Sequence, residues 1–336
     1  MKHIATMQDV ANQAGVSLTT VSRVLNNHKS VLPDKRERVN RAIEQLGFNR
    51  SYIARSLATK KSGLIGVVVP DISYAFYAQM LCGIEDYASN NAYSIIICNI
   101  EEKLGKEMHY LTLFAEMRVN GIVMMHEKLD EKIARFMMDC GIPVVLASVR
   151  PKLLAGKLSS VNIDDFRASY EGTEHLIRRN RRRIALIAGN LSDATSGEAR
   201  YEGYKAALKD YGIEEDDALI RFGKFSVEDG YRLTRDIFQV SPRRPDALFA
   251  VGDILAVGAL RYLAEAKVQV PQEVSVLGFD DLPIATMCTP RLSTIRQPIK
   301  EIGVAAVQTL IKSMGDSSKI IREVILKHEI VERESV

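Results

Sequence analysis

The sequence predicts an α/β protein with a small helical head. An N-terminal helix-turn-helix bundle and a hinge helix precede a larger body of two doubly wound parallel-sheet lobes. Three observations carry this. Residues 1–63 hold eleven Lys/Arg against four Asp/Glu, a net of +7, which leaves −4 for the rest of a chain whose formal charge is +3. Apolar residues at helical spacing fill residues 6–47, in short segments closed by Gly15 and Gly47. From residue 64 short apolar runs alternate with amphipathic stretches, the rhythm of strand–helix–strand units.

The first helix is read from "TMQDVANQAG". Thr6 and Asp9 stand at capping-box spacing. Met7, Val10, Ala11 and Ala14 form one apolar face, and Gly15 supplies a C-terminal stop. The second segment, "SLTTVSRVLNN", is rich in β-branched residues, which favour strands. Its spacing favours a helix: Val21, Val24 and Leu25 fall on one side, with Ser17 placed as cap. Thr19, Thr20, Ser22, Arg23 and Asn26 fall on the other. A third helix begins near Pro33 and buries Val39, Ile43 and Leu46 before Gly47. Ala11, Gly15 and Val21 have the small-turn-apolar arrangement of a helix-turn-helix, whose second helix enters the DNA major groove. Charge alone leaves open a nucleic acid or an anionic membrane surface as the partner. The domains expected are residues 1–48, a hinge segment over 49–63, and a body over 64–336. In "FNRSYIARSLATKKSG", Tyr52, Ile53, Leu57 and Ala58 share one side of a helix too short to stand alone in water. That segment is expected to fold on DNA, with Leu57 as an apolar wedge between base steps.

In the body, "LIGVVVP" (64–70), "SIIICN" (94–99), "GIVMMH" (121–126) and "PVVLAS" (143–148) read as one series of parallel strands. "RIALIAG" (183–189), "LIRFG" (219–223), "ALFAV" (247–251) and "VSVLGFDD" (274–281) read as a second. Two series predict two similar lobes around a cleft, with ligands beyond the carboxyl ends of the strands. The loops there include "PDISYAF", "ASVRP", "GNLSDATSGEARYEGY" and "GFDDLP". The run "RRNRRR" (178–183) reads as a solvated turn before a strand in preference to a second nucleic-acid patch.

The same sequence argues against other classes. Cys82, Cys98, Cys140 and Cys288 have no CxxC or metal-ligand spacing, so reduced thiols and no metal are expected. His109, His126, His175 and His328 are scattered and receive no role. No apolar run approaches ~18 residues, and "MKHIATMQDV" has no signal-peptide core, so a cytoplasmic protein without membrane contact is expected. No GxGxxG or GxxxxGK[ST] loop follows a predicted strand, and HExxH and GxSxG are absent, so neither an enzyme nor a cofactor is expected.

The stretches "MQDVANQAGVSLTTVSRVLNN", "ARSLATKKSGLIGVVVPDISYAFYAQMLCGIE", "RRIALIAGN", "VPQEVSVLGFDD" and "PRLSTIRQP" together resemble the lactose-repressor (LacI/GalR) family of bacterial transcription regulators. The likeness runs in order from about residue 4 to 333. It implies a body like that of periplasmic sugar-binding proteins, a homodimer, and a repressor of a catabolic operon. It also implies a pseudo-palindromic double-stranded operator and a sugar-like effector in the cleft. Leu18, Thr19 and Arg23 match base-reading positions. Ser17, Thr20, Ser22 and Asn26 match backbone-contacting ones. Arg55 and Leu57 belong to the DNA-contacting hinge, with Leu57 at the minor-groove position. Phe76, Tyr77, Ser148, Arg200, Phe225 and Asp280 match positions that line the effector pocket. The resemblance further implies lobe crossings near residues 161, 290 and 324. Lobe one then takes about 64–160 and 291–323, and lobe two about 161–290 and 324–333. Several positions depart from the family pattern. Gly252-Asp253 stands where Asn-Asp is usual, Ser148 where some members have aspartate, and Asn49-Arg50-Ser51 where the hinge has Pro-Asn. Leu32 replaces a capping hydroxyl. The stretch 71–126 is also similar to the catabolite-control branch, whose co-repressor is a phosphorylated carrier protein. That remains the alternative reading.

Overall fold

Thr6 and Asp9 close the capping box the spacing predicts. The Thr6 amide donates to Asp9 Oδ2 at 2.8 Å, and the Asp9 amide to Thr6 Oγ1 at 3.3 Å. They start α1, Met7–Ala14, in a computed structural model that describes residues 5–25, 28, 30–48, 62–100, 105–126, 129–150, 152–241, 243–315 and 322–336. The described residues divide into two compact units, Met1–Ser62 and Gly63–Val336. Asn26, Arg55 and Leu57, with nearly all of the expected hinge, lie outside the described residues.

In the first unit Gly15 turns the chain at φ +62°, a conformation that costs glycine little. The following helix α2, Leu18–Leu25, forms despite its threonines and valines because burial decides. Val21 and Val24 reach the core with Val10, Ala11, Ala14, Val39 and Ala42. The Thr20 amide donates to Ser17 Oγ at 3.3 Å, the cap the sequence calls for. Helix α3, Pro33–Leu46, starts without a side-chain cap at Leu32 and ends at Gly47, φ +57°. It buries Val39 and Ala42, and Ile43 and Leu46 pack at the rim. From α3, Arg38 Nη2 donates to the carbonyls of Ala14 (2.6 Å) and Gly15 (3.1 Å), fixing the turn between α1 and α2.

The second unit holds two six-stranded sheets. The first contains β1 (Leu64–Val69), β2 (Ser94–Asn99), β3 (Gly121–Met124), β4 (Val144–Ala147), β5 (Ser159–Ile163) and, late in the chain, β11 (Glu323–Leu326). Its order is β11-β5-β4-β3-β1-β2, all parallel. The second contains β6 (Ile184–Ala188), β7 (Ile220–Phe222), β8 (Ala247–Ala250), β9 (Ser275–Asp280), β10 (Ser293–Arg296) and β12 (Glu329–Val331). Its order is β12-β10-β9-β8-β6-β7, and only β12 runs antiparallel. The connections of the first sheet carry α4 (Ala75–Asn90), α5 (Lys106–Glu116) and α6 (Glu131–Asp139). Those of the second carry α7 (Asp165–Arg178), α8 (Arg200–Asp210), α9 (Val227–Val240), α10 (Asp253–Glu265) and the short α11 (Ile284–Met287). Helix α12, Ile299–Gly315, returns to the first sheet.

The chain passes between lobes after β5 (ending at Ile163), β10 (ending at Arg296) and β11 (ending at Leu326), near the expected 161, 290 and 324 and a little beyond each. The reason is register. Val161 pairs with Ala147, Ile295 with Phe279 and Val324 with Val161, so each strand completes its sheet before the chain leaves it. These strands are short and partly polar ("SSVNI", "STIR", "EVIL"), which hides them from an apolar-run reading.

Helices α4 and α12 cover the first sheet by crossing closely. A Cβ on Gly83 would stand 2.0 Å from the Lys300 carbonyl oxygen, so backbone meets backbone there. Gly83→Ala is expected to lower the unfolding free energy by about 1–3 kcal/mol through overpacking, measured by urea unfolding. An unchanged midpoint would mean that the crossing is looser than described.

Candidate functional sites: a polar helix face and an interlobe cavity

Helix α2 buries two valines and turns its other side outward. Leu18 is 46% exposed, Thr19 and Arg23 are exposed, and Thr20 and Ser22 are half-buried. Ser17 and Thr20 hydroxyls lie 2.9 Å apart. The N-terminal end of a helix thus presents short hydroxyls, one leucine and one arginine. Such side chains suit phosphate oxygens and base edges.

In the larger unit the carboxyl ends of both sheets face one cavity of about 140 Å³. All six residues proposed from sequence line it. Phe76, Tyr77 and Ser148 come from lobe one, and Arg200, Phe225 and Asp280 from lobe two. Tyr74, His126, Asp193, Thr195 and Ser196 line it as well, and the sequence reading gave none of them a role. Their loops, "PDISYAF" and "GNLSDATSGEARYEGY", were legible from the strand-end rule; which side chains turn inward was not. His126 is buried with its Nε2 3.1 Å from Glu107 Oε1.

Four aromatic rings gather on one side. Tyr74 lies 5.8 Å from Tyr77, 6.2 Å from Phe76 and 6.4 Å from Phe225, centroid to centroid. Phe225 fills the space beside Gly252, where a Cβ would stand 2.8 Å from its ring. The departure from Asn at 252 therefore makes room for this ring.

Against these rings stands a buried charge network. Arg200 is 4% exposed and stacks its guanidinium on Phe279, 3.7 Å from the ring centroid. Its Nε donates to Asp165 Oδ1 at 2.8 Å and its Nη1 to the Val251 carbonyl at 2.7 Å. Asp280 Oδ1 lies 3.9 Å from Nη1. Burial works against the Arg200 charge, but Asp165 and then Asp280 outweigh it and hold the proton more firmly than usual. Burial also raises Asp165, and Arg200 offsets that only in part.

Asp280 is pushed up to about 6, by burial first, with Arg200, Gln297 and Tyr74 pulling the other way. Behind it Asp253 accepts from Thr294 Oγ1 (2.6 Å) and the Leu282 amide (2.7 Å); burial and then Asp280 hold it well above the carboxylate range. Asp193 Oδ1 accepts from the amides of Thr195 (2.9 Å) and Ser196 (2.7 Å), organising a π-helical turn, Ala194–Ala199, that leads into α8. Ser148 and Asp280 both hold positive φ, +57° and +111°, a strained backbone at the cavity wall.

Both units have counterparts among known proteins. Residues 6–51 match the model of bacterial regulatory proteins of the lacI family, and residues 173–336 a periplasmic binding protein-like domain. The chain is 35% identical to the HTH-type transcriptional regulator RegA of Clostridium saccharobutylicum, over 98% of each chain. The chain belongs to the lacI family of bacterial regulatory proteins. It is 33% identical to catabolite control protein A of Priestia megaterium, again over 98% of each. A lac repressor dimer bound to operator and the anti-inducer ONPF superposes with a TM-score of 0.89 at 26% identity, covering 99% of each chain.

Members of this LacI family are DNA-binding transcription regulators and not enzymes, which removes the enzyme alternative for the cleft. LacI-family regulators bind operator DNA and small-molecule effectors and act as dimers. No helix among the described residues is long and apolar enough to cross a membrane. The arginine run before β6 lies largely at the surface and is engaged by groups of the same chain. Arg178 pairs with Glu174 and Arg179 with Glu332, while Arg181 and Arg182 bond backbone carbonyls. Arg183 pairs with Asp216 at 2.8 Å.

Asp280 gives a pH signature. The fold binds its proton more tightly than the unfolded chain does, so its contribution to stability is greatest below pH 3.8 and is lost as pH rises through about 6. The charged or titratable groups facing it are Arg200, Asp165, Asp253 and Tyr74. Asp280→Asn removes this dependence. Its stability relative to the native chain should rise by about 1 kcal/mol between pH 5 and pH 7, read from urea unfolding. A difference that stays flat with pH would show that Asp280 titrates normally.

Proposed function

We propose that the protein is a homodimeric repressor of a catabolic operon, controlled by a sugar-like effector in the interlobe cavity. The observation that carries this is the convergence of Phe76, Tyr77, Ser148, Arg200, Phe225 and Asp280 on one cavity at the strand ends of both lobes. Aromatic faces suit the apolar faces of a sugar ring. Asp280 accepts from ring hydroxyls, and Arg200 offers Nη2, the guanidinium nitrogen that neither Asp165 nor Val251 takes. In the head, Leu18, Thr19 and Arg23 read base edges, and Ser17, Thr20, Ser22 and Asn26 hold the backbone; in the hinge Arg55 contacts DNA. Leu57 enters the minor groove and bends the duplex. Two heads on one dimer favour a pseudo-palindrome with half-sites about one helical turn apart. Effector and operator are coupled by about 1–3 kcal/mol, in the range usual for allostery.

A second reading makes a phosphorylated carrier protein the co-effector; the similarity to catabolite control protein A favours it. Pull-down with seryl-phosphorylated carrier protein separates the two, because a purely sugar-controlled regulator gives no capture.

For DNA, an operator selected from random duplexes should bind Arg23→Ala about 10–100-fold more weakly, with relaxed base preference at one position in each half-site. Native affinity in that variant would take Arg23 out of the readout. For the cavity, a thermal-shift screen of sugars, sugar acids, sugar phosphates and nucleobases should find a compound that raises Tm by mass action. Phe225→Leu should lose most of that rise. A full response in the variant would place the ligand elsewhere.

A further inference from the structure

Asp280 is the carboxylate that both lobes reach. Its Oδ1 accepts from Gln297 Nε2 at 2.7 Å, on the segment that crosses from β10 to α12. Its Oδ2 accepts from the Tyr74 hydroxyl at 3.2 Å, and Tyr74 belongs to lobe one. Tyr74 lines the same cavity, its ring set among Phe76, Tyr77 and Phe225. The phenol therefore stands where a hydroxyl of a cavity ligand would bond.

We propose that Tyr74 is a specificity-determining residue that competes with the effector for Asp280 and ties the lobes together through that bond. The competition with an effector rests on the sensor reading given above; the tie between the lobes does not. The tie has a consequence for ligand class. A compound takes Asp280 only by offering a hydroxyl or amino donor that replaces the phenol. A ring without such a donor, or one carrying a carboxylate at that point, leaves the Tyr74–Asp280 bond standing. Sites built on buried hydrogen bonds discriminate strongly against analogues that lack the group.

Other polar contacts cross the cleft nearby. The Arg150 amide donates to Thr195 Oγ1 at 3.0 Å, and Lys152 pairs with Glu198 at 2.6 Å. The Lys152 side chain is 73% exposed, so water and salt weaken that pair. The Tyr74 bond is part-buried, against a mostly buried Asp280, and carries more of the closure. The Arg150 amide is a built-in reporter, since its hydrogen bond exists only while the lobes are together.

The test is residue-resolved hydrogen exchange of the full chain without added ligand, comparing the native protein with Tyr74→Phe and Lys152→Gln. Tyr74→Phe should speed exchange at the Arg150 amide about fivefold, the equivalent of one ordinary hydrogen bond. The amides of β4, within lobe one, should keep their native rates. Lys152→Gln should change Arg150 by less than about twofold. Native Arg150 exchange in Tyr74→Phe would overturn the proposal. So would equal acceleration across β4, which reports general loosening, or an effect of Lys152→Gln as large as that of Tyr74→Phe. Because no effector enters the measurement, any of these results leaves the sensor reading of the cavity intact.

Discussion

A guanidinium taken out of water must be neutralised where it sits, and the second lobe is organised around that requirement. Arg200 begins α8, Asp165 begins α7, Val251 follows β8, and Phe279 and Asp280 end β9. One side chain thus fixes the relative positions of two helices and two strand ends. An uncompensated charge at this depth costs several kcal/mol, so these elements have little freedom to drift apart. Behind the cavity wall Arg200 holds Asp165, the Val251 carbonyl and the Phe279 ring together.

That network extends outward in one direction. Asp280 links Arg200 to Gln297 on a crossing segment and to Tyr74 in the other lobe. Burial and neighbouring carboxylates leave Asp280 and Asp253 short of positive charge, which is why both sit above the carboxylate range. A ligand that changes the hydrogen bonds at Asp280 acts on the cavity and on a lobe crossing in a single step. Coupling of this kind needs no long chain of contacts. The strained backbone at Ser148 and Asp280 marks where the fold gives up local comfort for this geometry.

Much of this was legible in the sequence. The eight apolar strands, the capping box at Thr6, the cap at Ser17 and the glycine stops follow from local patterns that the structure repeats. The valines of α2 needed the period and not the propensity, since burial outweighs β-branching there. The strands β5, β10, β11 and β12 were not legible, because their sequences are short and polar and their partners are distant in sequence. For the cavity, family likeness supplied six lining positions. It gave no place to Tyr74 or to Asp165, because an exposed loop tyrosine and an ordinary helix-first-turn aspartate look the same in sequence. Only the fold shows that one crosses the cleft and the other neutralises a buried cation.

The claim on which everything else depends is that Arg200 and Asp165 form one energetic unit under the cavity. A double-mutant cycle on the unfolding free energy, with Arg200→Met, Asp165→Asn and the pair, measures it directly. Each single change should cost about 3–5 kcal/mol, and the double change should cost at least about 2 kcal/mol less than their sum. Additivity within about 0.5 kcal/mol would contradict the account, because it would mean that the two charges are held independently of each other.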